Sequence, residues 1–75
     1  MPASKITPDE RRGRARLIKA AMAAKGLTQE RLAKQLGIGQ SALSVRISNT
    51  DRMSVGDFLR LCKVLDIKPM DILEV

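Results

Sequence analysis

Between Leu27 and Asn49 the apolar residues fall in two short helical stripes separated by a glycine turn. Leu32, Ala33 and Leu36 stand at i, i+1 and i+4, which is one face of an α-helix. Thr28 occupies the N-cap position of that helix, where its hydroxyl can accept from an unpaired first-turn N–H. Glu30 adds negative charge near the positive helix end. Gly37 marks the stop, in a left-handed conformation that glycine adopts without strain. After Ile38 and Gly39 a second helix is predicted from Gln40. Ala42, Leu43 and Ile47 face inward from it, and Gln40, Ser41, Ser44, Val45 and Ser48 face outward.

The flanking pattern extends this pair. Residues 1–6 are polar and contain Pro2, which predicts a flexible N-terminal arm, with a single domain over 7–75. Thr7-Pro8-Asp9-Glu10 reads as a helix start, with an N-cap, proline at the first position and glutamate placed to close a capping box. The helix should run to about Lys25 with Ala15, Ile18, Ala21 and Met22 in the core and Leu17 at the border. Gly13 weakens it by about 1 kcal/mol, which would fray the first turns and put the firm start near Arg14. Gly26 ends it. Asn49 to Arg52 reads as a turn, Asn49 tolerating left-handed φ better than most residues. Met53 reads as a core plug beneath that turn. Ser54 caps a fourth helix, with Asp57 completing a capping-box analogue. Phe58, Leu61, Cys62 and Leu65 form its buried stripe, flanked by Leu59 and Val64. Pro69 opens a short fifth helix carrying Ile72 and Leu73.

Composition narrows the class. Seventy-five residues suit one small domain. Phe58 is the one aromatic residue, so the core must be aliphatic, which favours helices. The net charge is +6, with a pI near 10.3. Residues 1–25 carry +5, residues 26–52 carry +2 and residues 53–75 carry −1. The N-terminal two-thirds thus suits a polyanion. One cysteine and no histidine exclude an internal disulfide and leave too few ligands for a His/Cys metal site; no cofactor is expected. Cys62 on the buried stripe reads as a small hydrophobe. No stretch approaches the roughly 18 apolar residues of a membrane span, and no apolar leader opens the chain, so a cytoplasmic location is expected. Catalysis is not expected either. There is no His or Tyr, no phosphate-cradling glycine loop, and the carboxylates gather at helix starts.

Helix, short turn containing glycine, helix is the geometry whose second helix can enter the DNA major groove. Here the chain resembles the Cro/CI-type (Xre-like) helix-turn-helix domains. The resemblance is carried by Gly26-Leu27-Thr28-Gln29-Glu30-Arg31-Leu32-Ala33, Leu36-Gly37-Ile38 and Gln40-Ser41-Ala42-Leu43-Ser44. It continues through Phe58-Leu59, Leu65-Asp66-Ile67 and Ile72-Leu73, and covers residues 18–73. It implies an all-α, compact five-helix, lambda-repressor-like fold whose helices 2 and 3 form the helix-turn-helix. It also implies a small transcriptional repressor or regulator, acting as a homodimer on a palindromic operator with reading helices about 34 Å apart. Two departures stand out. Related domains carry Asn-Gly where this chain has Ser48-Asn49. Many also have a buried Arg–carboxylate pair where Met22 and Ile47 stand here, an apolar substitute compatible with stability.

The candidate DNA-binding residues are Thr28, Gln29, Gln40, Ser41, Ser44, Val45, Arg46, Ser48 and Arg14. The N-terminus of the Thr28 helix can offer N–H groups and the Gln29 amide to a phosphate; plain capping is the alternative. Gln40 can pair with adenine N6 and N7, or serve as a cap or an amide partner of Gln29. Ser41 and Ser44 can reach groove edges or phosphate, or be solvated. Val45 is an exposed β-branched residue that suits a thymine methyl or a partner protein. Arg46 lies to one side, for phosphate or solvent. Arg11, Arg12, Arg14 and Arg16 form a phosphate patch or a solvated face. Met70, Ile72, Leu73 and Val75 are dimer-surface candidates; Ile72 and Leu73 equally suit closing the core. Other functions share this domain: an antitoxin with a toxin partner, a restriction–modification controller, or a protein-interaction module that has lost DNA binding.

Overall fold

A computed structural model describes residues 6–74. The expected N-terminal arm, apart from Ile6, lies outside the described residues, as does Val75. The chain folds into α1 (Pro8–Ala24), α2 (Gln29–Leu36), α3 (Gln40–Ser48), a 3-10 turn (Thr50–Arg52), α4 (Val55–Leu65) and α5 (Pro69–Leu73), with no strand among the described residues. α1 packs on α3, α4, α5 and the 3-10 turn, while α2 packs on α3 and α4.

The first helix begins at Pro8, a full turn and a half before Arg14. The capping box explains this. The Glu10 N–H donates to Thr7 Oγ1 at 3.1 Å, and the Thr7 N–H donates to Glu10 Oε1 at 3.0 Å. Two of the unpaired donors at the helix start are thereby satisfied, which offsets the cost of Gly13.

Three helices end in the same way. Leu27 N–H reaches Met22 O at 2.9 Å and Gly26 N–H reaches Ala23 O at 3.1 Å. Ile38 and Gly37 repeat these bonds to Ala33 and Lys34 at the end of α2, and Ile67 and Asp66 repeat them to Cys62 and Lys63 at the end of α4. This is the Schellman closure, which needs a left-handed residue just past the helix. Gly26 and Gly37 supply it at φ 65° and 71°, and Asp66 supplies it at φ 55° without being glycine.

Every helix contributes to one aliphatic core. Ile18 and Met22 enter from α1, Leu32, Ala33 and Leu36 from α2, Leu43 and Ile47 from α3, Leu61, Cys62 and Leu65 from α4, and Ile72 from α5. Met22 and Ile47, the apolar stand-ins for a buried ion pair, are thus both core residues. Ala15, Ala21, Phe58 and Met53 are half-buried against this core rather than inside it. The α5 apolar pair separates: Ile72 is fully buried, while Leu73 stays exposed. Ile72 therefore closes the core and is removed from the candidate dimer surface. Burial raises the Cys62 thiol pKa, which keeps it protonated and inert.

Candidate nucleic-acid interface

The α2–turn–α3 unit positions two helix starts and one exposed face. Thr28 has extended backbone (φ −90°, ψ 161°), and its hydroxyl oxygen accepts from Arg31 N–H at 3.2 Å. Capping is therefore one role Thr28 performs; its O–H remains as a donor. The first-turn N–H groups of Gln29 and Glu30 precede the first i→i−4 bond, made by Leu32 to Thr28 O at 2.9 Å. Gly39 leads into α3 without a side-chain cap. The Gln29 and Gln40 amides make no hydrogen bond among the described residues, so neither the cap nor the mutual-amide role of Gln40 is realised.

Successive residues of α3 rotate by about 100°. With Leu43 and Ile47 buried, Ser41, Val45 and Ser48 point away from the core and Ser44 and Gln40 flank them; all five are exposed. Val45 sits in the middle of this face, 62% exposed. A hydrophobic side chain there is surrounded by small hydroxyls, so the face is narrow and uncharged.

Arg46 lies to one side of that rotation, on the flank opposite Ser44, and has a partner. Its Nη1 lies 3.3 Å from Asp57 Oδ2, with both side chains about one-third exposed. Arg46 thus ties α3 to the start of α4 and is not a free cation beside the exposed α3 face. The same contact explains why Asp57 only half completes its capping box: its N–H donates to Ser54 Oγ at 3.2 Å, but its carboxylate turns to Arg46. The end of α3 also differs from the expected turn. Asn49 is not left-handed (φ −136°); its side-chain Nδ2 donates to Val45 O at 3.0 Å and closes the helix instead.

The arginine cluster of α1 is divided by the helix. Arg11 binds Asp51 in the 3-10 turn. Arg12 pairs with Asp9 one turn back. Arg12, Arg16 and Lys19 stand at i, i+4 and i+7, and with Arg11, Ala15 and Ser48 they line a groove of about 400 Å³ beside the end of α3. Neither Arg16 nor Lys19 has a carboxylate partner among the described residues. Arg14 lines a different groove, with residues of the 3-10 turn, α4 and α5. The cations that line the groove beside the end of α3 are therefore Arg11, Arg12, Arg16 and Lys19, and not Arg14.

A family model described as helix-turn-helix matches residues 18–73, three-quarters of the chain. The chain belongs to the Cro/CI-type (Xre-like) helix-turn-helix family. No curated protein and no solved structure gives a match. The five-helix, lambda-repressor-like fold follows from the family and the observed element order together. DNA binding is the general role of such helix-turn-helix domains. No helix among the described residues is long and apolar enough to cross a membrane. Two features of this helix-turn-helix domain were missed from the sequence. Lys19 joins the basic patch, and its i+7 and i+3 spacing from Arg12 and Arg16 is the signal that places it on one helix face with them. Arg60, whose Nη1 donates to Leu36 O at 3.5 Å at the end of α2, gave no sequence signal.

Proposed function

We propose that this chain binds double-stranded DNA sequence-specifically as a homodimeric transcriptional regulator on a palindromic operator, within the cytoplasm. The observation that carries the proposal is the exposed α3 face centred on Val45 and flanked by Gln40, Ser41, Ser44 and Ser48. An unpartnered apolar side chain mid-helix has no packing role, yet it fits a thymine methyl, and the adjacent uncommitted Gln40 amide matches adenine N6 and N7. The serines can donate or accept at base edges or phosphate. Thr28, Gln29 and the start of α2 are suited to one phosphate, and Arg12, Arg16 and Lys19 to the phosphates on the other side of α3.

The reading face holds no charged residue, so discrimination per half-site is modest and two copies are needed for a useful specificity ratio. Repression is the simplest regulatory outcome, because occupying an operator requires no further contact. The test is selection of bound duplexes from a random pool at two salt concentrations, with Gln40→Ala and Val45→Ala alongside. A palindromic motif with half-sites one turn apart, altered by both variants, is the expected result. A pool that yields no motif, bound equally by all three proteins, overturns it.

A further inference from the structure

We infer that Asp57 and Arg60 of α4 are positioning residues that fix the roll and angle of α3 against α2, and so set base discrimination without themselves meeting DNA. The inference rests on the DNA-reading proposal above. Discrimination needs two parts held in register: the phosphate-facing start of α2 and the base-facing side of α3. The connection between them does little to hold that register. It is Gly37-Ile38-Gly39, and nothing lies within 4 Å of a Cβ added at either glycine. Glycine is also the most permissive residue in backbone conformation. The start of α3 has no side-chain cap.

The core leaves one freedom as well. The buried residues of α3 are Leu43 and Ile47, one turn apart on a single stripe. Two anchors on one line hold the depth of a helix but resist rolling about that line only weakly. A roll would swing Ser41, Val45 and Ser48 together, since they share the outward face. Resistance must come from the flanks. On one flank Ser44 is exposed. On the other Ala42 is half-buried, and Arg46 Nη1 reaches Asp57 Oδ2 at 3.3 Å. The Arg46–Asp57 tie therefore acts off the line of the anchors, where it has leverage on the roll.

The same helix holds α2. Arg60 stands one turn after Asp57, and its Nη1 donates to Leu36 O at 3.5 Å. Leu36 is the last residue of α2, and the Schellman closure there uses the Ala33 and Lys34 carbonyls. Arg60 thus meets a terminal carbonyl that the closure leaves free, and its charge suits the negative end of the helix. Asp57 and Arg60 do not pair with each other among the described residues; each is directed to a different helix. α4 is in effect a bracket joining the end of α2 to the last turn of α3. Neither residue lines the basic groove with Arg16 and Lys19.

The test takes the ratio of affinity for the selected operator to affinity for random duplex, in wild type, Asp57→Asn, Arg46→Gln, the two combined, Arg60→Ala and Arg60→Lys. Partial unfolding or altered net charge acts on both duplexes alike and cancels in the ratio. Asp57→Asn, Arg46→Gln and Arg60→Ala should each lower it about two- to fivefold, the size of a half-exposed tie. The combined variant should fall no further than either single one, because one interaction is being removed. Arg60→Lys, which keeps a donor for Leu36 O, should retain the ratio. Amide shifts of the free chain give a second readout: Asp57→Asn should move Ser41 and Val45, which are remote from residue 57 in sequence but turn with α3. Unchanged ratios in Asp57→Asn and Arg60→Ala, with a wild type that does select a motif, overturn the inference and leave the DNA reading standing. A salt slope lowered by about 0.9 in Arg60→Ala makes Arg60 a phosphate ligand and overturns its positioning role. A wild type that selects no motif removes the DNA reading, and the amide shifts then decide the bracket: movement at Ser41 and Val45 keeps it, and shifts confined to the neighbours of residues 46 and 57 remove it.

Discussion

Arg11 in the second turn of α1 holds both oxygens of Asp51, its Nε–H donating to Oδ1 at 3.1 Å and its Nη2–H to Oδ2 at 3.0 Å, across 40 residues of chain. Bidentate pairing of this kind has fixed geometry as well as charge. It pins the 3-10 turn to α1 and so sets where α4 begins. The guanidinium holds the Asp51 carboxyl below its ordinary pKa, and the Arg11 pKa rises in return. Glu10 is lowered too, chiefly by the hydrogen bond its carboxylate accepts from the Thr7 backbone N–H.

These two carboxylates predict the sign of the acid response. Each folded-state pKa lies below its unfolded value, so its stabilisation is complete above the ordinary carboxylate range. It is lost as pH falls through that range and below it. Both groups are at the surface, so the effect is small. Melting curves from neutral to about pH 2 should show a falling midpoint in the wild type. Asp51→Asn should start from a lower midpoint at neutral pH and fall less on acidification. An identical acid slope in the variant would mean that the pair contributes nothing in solution.

The helix ends give a pair of opposite predictions. At Gly37 an added Cβ would meet nothing within 4 Å, so the whole cost of Gly37→Ala is its φ of 71°. Left-handed backbone costs an L-residue about 1–2 kcal/mol. In a domain of this size that lowers the melting midpoint by roughly 4–8 °C for each kcal/mol. Asp66 already bears part of this strain at φ 55°. Asp66→Gly should therefore gain up to about 1 kcal/mol, and thermal melting should move the two variants in opposite directions.

The contrast between Gly37 and Asp66 also shows how much the chain discloses before it is folded. Both residues do the same work, but only glycine announces it, because an aspartate in the left-handed region is selected by the packing of Ile67 onto the end of α4. The helical stripes at Leu32, Leu36, Leu43 and Ile47 were legible because their periodicity states which face is inward. The outward face of α3, from Gln40 to Ser48, followed directly from that. Arg46 was placed to one side by the same rotation, yet its partner Asp57 is set by the docking of α4, which no local pattern reports. The α1 arginines failed for a related reason. Their spacing separates Arg14 from Arg12 and Arg16, but which side meets α3 depends on how α1 lies across the core. Phe58 is half-buried rather than core because it stands at the first turn of its stripe, where it lines an apolar groove, while Leu61, Cys62 and Leu65 further along are buried.

On the reading face, Gln40→Ala should relax discrimination at one base position by about 1–3 kcal/mol, and leave binding to random duplex unchanged. Val45→Ala should do the same at a thymine, with a smaller loss, since only methyl contact is removed. Competition titrations against single-base operator variants measure both. Equal losses on operator and random DNA would place these residues on phosphate rather than on bases.

The divided arginine cluster gives a prediction that the sequence pattern alone does not. If phosphates run along the groove between α1 and the end of α3, then Arg16 and Lys19, which have no carboxylate partner among the described residues, each release counterions on binding. Arg16→Ala and Lys19→Ala should each lower the slope of log affinity against log salt by about 0.9, on operator and random duplex alike. Arg12→Ala should lower it by less, because binding must first compete with Asp9. Arg14→Ala should leave the slope unchanged, since its guanidinium lies in the other groove. Arg46→Ala should also leave it unchanged while loosening α3 from α4, an exposed pair contributing about 0–1 kcal/mol. Fluorescence anisotropy at several salt concentrations separates these cases, and a slope that falls with Arg14→Ala but not with Arg16→Ala would put the DNA on the opposite side of α1.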